Sequence, residues 1–380
     1  MKEFNKSTKL EHVAYDIRGP VLEEAMRMRA NGEKILRLNT GNPAEFGFTA
    51  PDEVIHDLIM NARDSEGYSD SKGIFSARKA IMQYCQLKNI PNVDIDDVYL
   101  GNGVSELIVM SMQGLLDNGD EVLVPMPDYP LWTAAVSLAG GNAVHYLCDE
   151  AADWYPDIDD IRSKITSNTK AIVVINPNNP TGTYLPPDQI AQFMKQVPPN
   201  ILVVVDEAYI DFVDQPEPST LSLTHQFPNL LVMRTFSKLY GLANFRVGFS
   251  IVPKALIPKM QNVRLPYNIS GMSQAAALAA WEDQTFTRKV KQQIFAARKQ
   301  WHQFFDQHQI RHYATQTNFM LYQVNDPQAL GTFLKQHGYL VRDSMVPGWI
   351  RQSFGTPKQD AEVQQLLLTF LGIKQTSNIS

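Results

Sequence analysis

The chain has 380 residues, a formal net charge of -6 and an isoelectric point near 5.8. Hydrophobic residues make up 44% of the sequence and aromatic residues 10%. This is enough to bury substantial cores in roughly one to three domains. Because the net charge is negative, the composition offers no general attraction for nucleic acid or an anionic membrane, and an anionic ligand needs a local basic site. The composition therefore favours small-molecule chemistry.

Targeting and metal-binding signals are weak in this sequence. Residues 1–10 are polar and charged, unlike a secretory signal, and no apolar run approaches the roughly 20 residues that a membrane-spanning helix needs. The two cysteines, Cys85 and Cys148, provide neither a disulfide framework nor the spacing of zinc ligands. We expect a cytoplasmic protein with no bound metal and no membrane or nucleic-acid partner.

Short β-rich runs alternate with helical patterns through the first two thirds of the sequence. The predicted strands cover residues 97–100, 121–124, 143–147, 171–175, 201–205, 230–233 and 247–251. One predicted helix, 104–116, lies between the first and second strands, and another, 131–138, lies between the second and third. Glycines follow both helices, where they are expected to cap the C-terminal ends. This alternation predicts an α/β fold with a mainly parallel sheet.

The pattern changes in the last third of the chain. A long amphipathic stretch, residues 273–308, is followed by two predicted strands. We therefore expect an α/β protein of two domains. In the large domain, residues 49–260, helices sandwich the mainly parallel sheet. Residues 1–48 with 261–380 form a smaller α+β domain.

A lysine between small hydroxyl side chains is the most informative feature. Lys238 follows Thr235 and Ser237, and Arg246 lies eight residues further on. A lysine amine can form a Schiff base with a carbonyl, while hydroxyl groups and a planar guanidinium suit a phosphate ester. Pyridoxal 5'-phosphate is the common cofactor that carries both an aldehyde and a phosphate. Taken alone, the segment also fits a surface turn with an ordinary ion pair.

Other polar groups follow predicted strands, where ligands bind in open α/β sheets. The Asp206 carboxylate can pair with a protonated pyridine nitrogen, and Tyr209 and Asn179 can hydrogen-bond a ring oxygen. Tyr129 can stack on the ring, and the glycine-rich turn at 101–105 precedes a helix whose N-terminus can hold phosphate. Each of these residues alone also fits a cap, a turn or a packed aromatic side chain.

The order of these residues resembles that of the class I and II aminotransferases, which are fold-type I pyridoxal-phosphate enzymes, over nearly the whole chain. The resemblance implies pyridoxal 5'-phosphate as cofactor, Lys238 as its Schiff-base lysine and Asp206 as the partner of its ring nitrogen. It further implies that Tyr129 stacks on the ring and that Asn179 and Tyr209 hold the ring oxygen. The implied phosphate ligands are Gly103, Val104, Ser105, Thr235, Ser237 and Arg246.

The resemblance also extends to the substrate site and to the assembly. Gly41 and Arg351 match the positions that receive the substrate α-carboxylate, with Arg351 as the bidentate clamp. Tyr68 resembles the tyrosine that family members lend to the phosphate of the neighbouring subunit. The likeness therefore implies a homodimer with shared active sites.

Two branches of the family are represented. Residues from about 15 to 160 resemble bacterial alanine aminotransferases, in which Tyr15 and Arg18 match the pocket wall. From about residue 176 onward the chain resembles histidinol-phosphate aminotransferases, in which an arginine such as Arg342 helps to take the substrate phosphate. The segment 343–350 that links Arg342 to Arg351 is shorter than is usual in that branch.

These features predict ping-pong transfer of an amino group from an L-amino acid, alanine-like or another small or aromatic donor, to a 2-oxo acid such as 2-oxoglutarate. Histidinol-phosphate aminotransferase remains the alternative. A pyridoxal-phosphate-dependent C–S lyase or decarboxylase is a further alternative. A non-catalytic regulator needs an attached DNA-binding module, for which the residues before the large domain show no basic footprint.

Overall fold

The computed structural model describes residues 5–11, 13, 20–87, 90 and 93–373, with the backbone alone for 20–22. The strands of these residues are β1 Leu36–Arg37, β2 Val98–Asn102, β3 Glu121–Met126, β4 Asn142–Asp149, β5 Tyr155–Pro156, β6 Thr169–Ile175, β7 Leu202–Asp206, β8 Leu230–Thr235, β9 Val247–Ile251, β10 Phe319–Gln323, β11 Tyr339–Leu340 and β12 Trp349–Ser353. The helices are α1 Pro20–Ala30, α2 Asp52–Met60, α3 Phe75–Leu87, α4 Gly103–Leu115, α5 Leu131–Leu138, α6 Ile158–Lys164, α7 Pro187–Met194, α8 Ile257–Val263, α9 Gly271–Glu282, α10 Gln284–Gln307, α11 Pro327–Gln336 and α12 Pro357–Leu371. None of the described helices is both long and apolar enough to cross a membrane.

Eight strands form the main sheet, in the order β2-β9-β8-β7-β6-β3-β4-β5. Strands β4, β3, β6, β7 and β8 pair in parallel, whereas β9 and β5 run antiparallel to their neighbours. All seven predicted strands of the large domain are present within a few residues of their predicted bounds. The predicted mainly parallel sheet is therefore confirmed.

Helices cover both faces of this sheet, because alternate residues of each central strand point to opposite sides. In β6, Ile172 and Val174 join a core that includes residues of α3, α7, α9 and α10. Val173 and Ile175 join a second core, formed with α4, α5 and α8. The strands are apolar on both faces for this reason, and the α/β sandwich predicted from the sequence is confirmed.

The long amphipathic stretch divides into two helices. The Asp283 side chain accepts hydrogen bonds from the backbone N–H groups of Thr285 and Phe286, at 3.0 and 3.1 Å, and so caps α10 just after α9 ends. This N-cap satisfies two donors that a new helix leaves open, which explains why one periodic pattern contains a break.

Residues from the two ends of the chain pair with each other. Strand β1 lies parallel to β11, and β10 pairs antiparallel with β12. The Ser353 N–H also donates to the Leu38 carbonyl oxygen at 2.8 Å. This pairing supports the proposed smaller domain, whose boundaries stay a prediction.

A pair of neighbouring histidines in the C-terminal part of the chain predicts that the folded state loses stability at acidic pH. The rings of His302, on α10, and His312 lie 4.9 Å apart. Burial, with help from the charges of His312 and Arg298, lowers the pKa of His302 from 6.5 to about 4. The unfolded chain then binds the proton more readily than the folded one, so the contribution to stability is complete above pH 6.5 and is lost as the pH falls towards 4.

We predict that the free energy of unfolding decreases between pH 7.5 and pH 5, and that His302→Gln reduces this decrease because glutamine does not titrate. Urea unfolding at both pH values measures the difference. His56→Gln, at a histidine whose side chain is 71% exposed, is the control. Equal acid sensitivity of the wild type and His302→Gln would contradict the prediction.

Candidate active site

The ends of three central strands meet at one edge of the sheet. In the parallel register, Asp206 at the end of β7 lies opposite Ile175 of β6 and Met233 of β8. Because β9 is antiparallel, its beginning lies at the same edge, where Gly248 pairs with Thr235. The residues after β6 and β8 and those before β9 therefore converge on the carboxylate of Asp206.

Asp206 is a buried carboxylate whose two oxygens both accept hydrogen bonds. The Trp132 indole Nε1–H donates to Oδ2 at 3.0 Å, and the Ala208 backbone N–H donates to Oδ1 at 3.1 Å. Burial raises the pKa of Asp206, while these two hydrogen bonds and the charge of Lys238 oppose that rise. A buried carboxylate with neutral donors attracts a cationic group such as a protonated pyridine nitrogen.

Lys238 and Tyr209 lie side by side in this cluster. The Lys238 Nζ is 5.1 Å from the centre of the Tyr209 ring and donates to the Gly41 carbonyl oxygen at 3.4 Å. Lys238 is half-buried, whereas Tyr209 and Gly41 are buried. A Cβ at Gly41 would lie 3.1 Å from the Tyr209 hydroxyl, so the close approach of this turn to the site favours glycine.

An anion cradle lies at the start of α4. Gly103 has a φ of +72°, and a Cβ there would collide with the Arg246 guanidinium. Arg246 donates to the Ala243 carbonyl oxygen at 2.9 Å and to the Ser237 hydroxyl at 3.5 Å, and no ion pair joins it to an acidic side chain of the described residues.

The first turn of α4 adds backbone donors to this cradle. Val104 is buried and Ser105 half-buried there, and Asn102 makes no side-chain capping hydrogen bond. Uncapped N–H groups of a helix N-terminus favour an anion. The buried Thr235 hydroxyl accepts from the Ser237 N–H at 3.1 Å, which fixes the turn that carries Ser237. Donor groups and a guanidinium that lies against the backbone of Gly103 fit a phosphate.

Arg351 brings the C-terminal part of the chain to the site. Its Nη1 donates to Asn179 Oδ1 at 2.6 Å, and its Nη2 donates to the Asn39 carbonyl oxygen at 2.7 Å. Since Asn179 uses its oxygen for Arg351, its amide N–H groups are left to donate to another acceptor. Burial and the nearby charge of Arg342 lower the pKa of Arg351 to about 10, which leaves it cationic at neutral pH.

Arg342 lies next to Arg351 through an antiparallel bridge, and its Nε donates to the same Asn39 carbonyl oxygen at 3.3 Å. Buried polar atoms around these arginines have no hydrogen-bond partner among the described residues. They are the Nε of Arg351 and the Oδ1 atoms of Asn39 and Asn318. A buried polar atom without a partner lowers the stability of the fold unless a polar ligand or a water molecule makes a hydrogen bond to it. The three atoms therefore fit a site for a charged substrate.

Two other predicted residues, Tyr68 and Tyr129, differ in their surroundings, and Tyr129 lies close enough to Arg351 to oppose the lowering of its pKa. Tyr68 is 85% exposed and stacks on Tyr267, with ring centres 4.3 Å apart. Tyr129 is half-buried just after β3 and packs against the core on that side of the sheet. Tyr15 and Arg18 lie outside the described residues.

Sequence reasoning missed Trp132, Asn39 and Asn318 as parts of the site. In the sequence, Trp132 follows Tyr129 by three residues, and this short separation is the signal that could have placed Trp132 near the site. Among the described residues no three His, Cys, Asp or Glu side chains are grouped to hold a metal ion. Burial raises the pKa of Cys85 to about 11 and that of Cys148 to about 12.

The chain is similar to known aminotransferases. It is 53% identical over 254 residues to the Glutamate-pyruvate aminotransferase AlaA of Haemophilus influenzae, covering 66% of this chain and 63% of that relative. It is 35% identical over 279 residues to the Histidinol-phosphate aminotransferase of Lactiplantibacillus plantarum, covering 73% and 78%. The match therefore spans less than two thirds of the Haemophilus influenzae protein.

Solved structures and the family profile indicate the same family as these relatives. An aminotransferase from Escherichia coli, 38% identical, superimposes with a TM-score of 0.86 and covers 98% of this chain and 99% of its own. The profile of the family described as "Aminotransferase class I and II" matches residues 33–367. On this match and on the geometry of the sheet edge, the chain belongs to the class I and II aminotransferases, whose cofactor is pyridoxal 5'-phosphate.

Proposed function

We propose that this chain is a pyridoxal-phosphate-dependent aminotransferase that exchanges an amino group between an L-amino acid and a 2-oxo acid by a ping-pong mechanism. The observation that carries the proposal is the convergence of Lys238, the buried Asp206 and the Gly103–Arg246 cradle at one edge of the sheet. Alanine with 2-oxoglutarate, or glutamate with pyruvate in the reverse direction, is the proposed substrate set, supported by the Haemophilus influenzae relative.

Each group has a separate task. Bound at this edge, pyridoxal 5'-phosphate supplies an electron sink for the substrate α-carbon. The Asp206 carboxylate would hold the ring nitrogen as a cation, and the Arg246 guanidinium with the Ser237 hydroxyl and the N-terminus of α4 would hold the phosphate. Tyr209 and Asn179 donate to the ring oxygen.

Lys238 is the proton carrier. Lys238 is half-buried, and among the described residues its Nζ makes one long hydrogen bond, 3.4 Å to the Gly41 carbonyl oxygen. A weakly held amine would be free to accept the proton of the substrate α-carbon and to release it again. Positioned proton transfer of this kind contributes about 10²- to 10⁴-fold to a rate.

Arg351 orients the substrate through its carboxylate. The guanidinium is buried and cationic, and a carboxylate that binds it replaces the neutral oxygens of Asn179 and Asn39 as partner of the charge. The second arginine, Arg342, adds a positive charge beside it and favours an acceptor with two anionic groups, such as 2-oxoglutarate.

The same pair of arginines favours one further candidate, histidinol-phosphate aminotransferase. A phosphate carries more negative charge than a carboxylate, and the Lactiplantibacillus plantarum relative bears that name. A panel of amino donors and oxo-acid acceptors separates the two candidates. Consumption of histidinol phosphate far faster than of alanine or glutamate would favour the second, and sustained release of ammonia, sulfide or carbon dioxide without any oxo-acid acceptor would contradict amino transfer altogether.

The proposal includes a homodimer. Tyr68 and Tyr267 stack with exposed rings, and three further exposed apolar side chains lie within eight residues of one of them along the chain. We call these five residues the patch: Tyr68, Phe75, Leu265, Tyr267 and Met272. An exposed apolar patch of this kind suits a second copy of the chain, whose site Tyr68 then reaches. A cytoplasmic location is proposed because the two buried, unpaired thiols suit a reducing compartment.

Replacing Lys238 with alanine is expected to lower turnover by at least about 10²-fold, since alanine has no amine to carry the proton. Borohydride is expected to fix the cofactor to the wild-type chain but not to the variant, as the mass of the intact protein reports. Lys254→Ala, at a lysine whose side chain is 77% exposed, is the control and keeps both properties. A variant that kept full turnover would refute the proposed role.

Arg342→Gln is expected to raise the KM for 2-oxoglutarate on the order of 10-fold while leaving the KM for pyruvate nearly unchanged, because one charge-assisted contact is lost. Arg351→Lys is expected to raise the KM for 2-oxoglutarate and the KM for pyruvate, since both acceptors carry the carboxylate that Arg351 binds. Steady-state kinetics with each acceptor measure the effect, and the exposed Arg288→Gln is the control. Equal KM changes for both acceptors in Arg342→Gln would contradict its role.

Mixing two impaired variants tests the shared site. A hybrid of Lys238→Ala and Tyr68→Ala chains holds one complete site only if Tyr68 acts across the interface. We predict that unfolding and refolding the two variants together restores turnover that neither shows separately. Light scattering gives the oligomeric state, and Leu265→Glu in the patch is expected to produce monomers, while Leu87→Glu, at an exposed leucine outside it, does not. No recovery in a mixed dimer would place Tyr68 outside the partner's site.

A further inference from the structure

A buried indole donates directly to the carboxylate at the centre of the site. Trp132 has no exposed surface, and its Nε1–H lies 3.0 Å from Asp206 Oδ2. Asp206 itself is 3% exposed. A buried polar group carries a cost unless it is paired, so both the indole N–H and the carboxylate depend on this hydrogen bond.

The position of Trp132 follows from the segment after β3. Trp132 is the second residue of α5, and its backbone N–H donates to the Tyr129 carbonyl oxygen at 3.0 Å. One short segment therefore carries both the proposed ring-stacking side chain and the donor to Asp206. A shift of this segment moves the two groups together.

The chemistry of the donors restricts the protonation of Asp206. An indole N–H and a backbone amide N–H donate hydrogen bonds but accept none. The Trp132 N–H donates to Oδ2 and the Ala208 N–H donates to Oδ1. A proton on either oxygen would face one of these N–H groups, which cannot accept a hydrogen bond from it. A histidine or lysine there would accept a proton or neutralise the charge, whereas indole leaves the carboxylate negative.

We propose that Trp132 is a positioning residue for the amino-transfer reaction, whose indole N–H keeps Asp206 ionised and directs its remaining lone pairs towards the cofactor ring nitrogen. This proposal rests on the proposed function, because it requires pyridoxal 5'-phosphate at this edge of the sheet. A side chain that only filled the core between α5 and the sheet would need no donor.

The test removes the N–H group and keeps the shape. Benzothienylalanine at position 132 replaces the indole N–H with sulfur and keeps the two-ring shape, whereas Trp132→Phe, the genetically encoded counterpart, removes the N–H together with part of the ring. The dissociation constant is measured for pyridoxal 5'-phosphate and for its carbocyclic analogue, in which CH replaces the ring nitrogen. We expect both variants to bind pyridoxal 5'-phosphate on the order of 10-fold more weakly, because a hydrogen bond to a charged group is lost. Affinity for the analogue is expected to change little.

A buried tryptophan elsewhere supplies the control. Trp301, on α10, is 1% exposed and packs against Phe304 and Phe305, so Trp301→Phe reports the cost of losing a buried indole away from the site. Unchanged affinity for pyridoxal 5'-phosphate in the benzothienylalanine protein would overturn the proposal, and so would equal weakening for the cofactor and its analogue. If the wild type itself failed to bind pyridoxal 5'-phosphate, the proposed function would fail instead.

Discussion

The parallel register of the central strands is the constraint on which the site depends. Strands β6, β7 and β8 end at the same edge, and the antiparallel β9 begins there. Backbone hydrogen bonds between the strands therefore bring residues that are far apart in the chain close to Asp206. Since the strands are buried on both faces, a slip of one residue would move each side chain into the opposite core, where it would not match the packing, and this holds the register.

Charge is distributed unevenly around this edge. Asp206 is a buried anion held by neutral donors, while Arg246, Arg342 and Arg351 are cations without acidic side-chain partners among the described residues. Without a ligand this arrangement raises the free energy of the folded protein, because charges that are buried or half-buried lose hydration. A ligand with a cationic ring nitrogen, a phosphate and a carboxylate offsets each of these costs at a separate point.

The substrate side of the site depends on contacts between the two ends of the chain. Arg351 lies on β12, and the Asn39 carbonyl oxygen that it contacts follows β1. The pairing of β1 with β11 and the contact between Ser353 and Leu38 hold these segments together. Substrate recognition and folding of the C-terminal part are coupled through the same backbone contacts.

Strand positions, the α/β class and the groups around Lys238 are readable from the sequence, because local hydrophobic patterns and strand-end chemistry encode them. The capped break at Asp283 and the contacts of Arg351 with Asn39 and Asn179 were decided by the tertiary structure. So was the bond from Trp132 to Asp206, which lie 74 positions apart. The sequence identifies donors and charges, whereas packing alone selects which of them meet, since that choice depends on strand order and register.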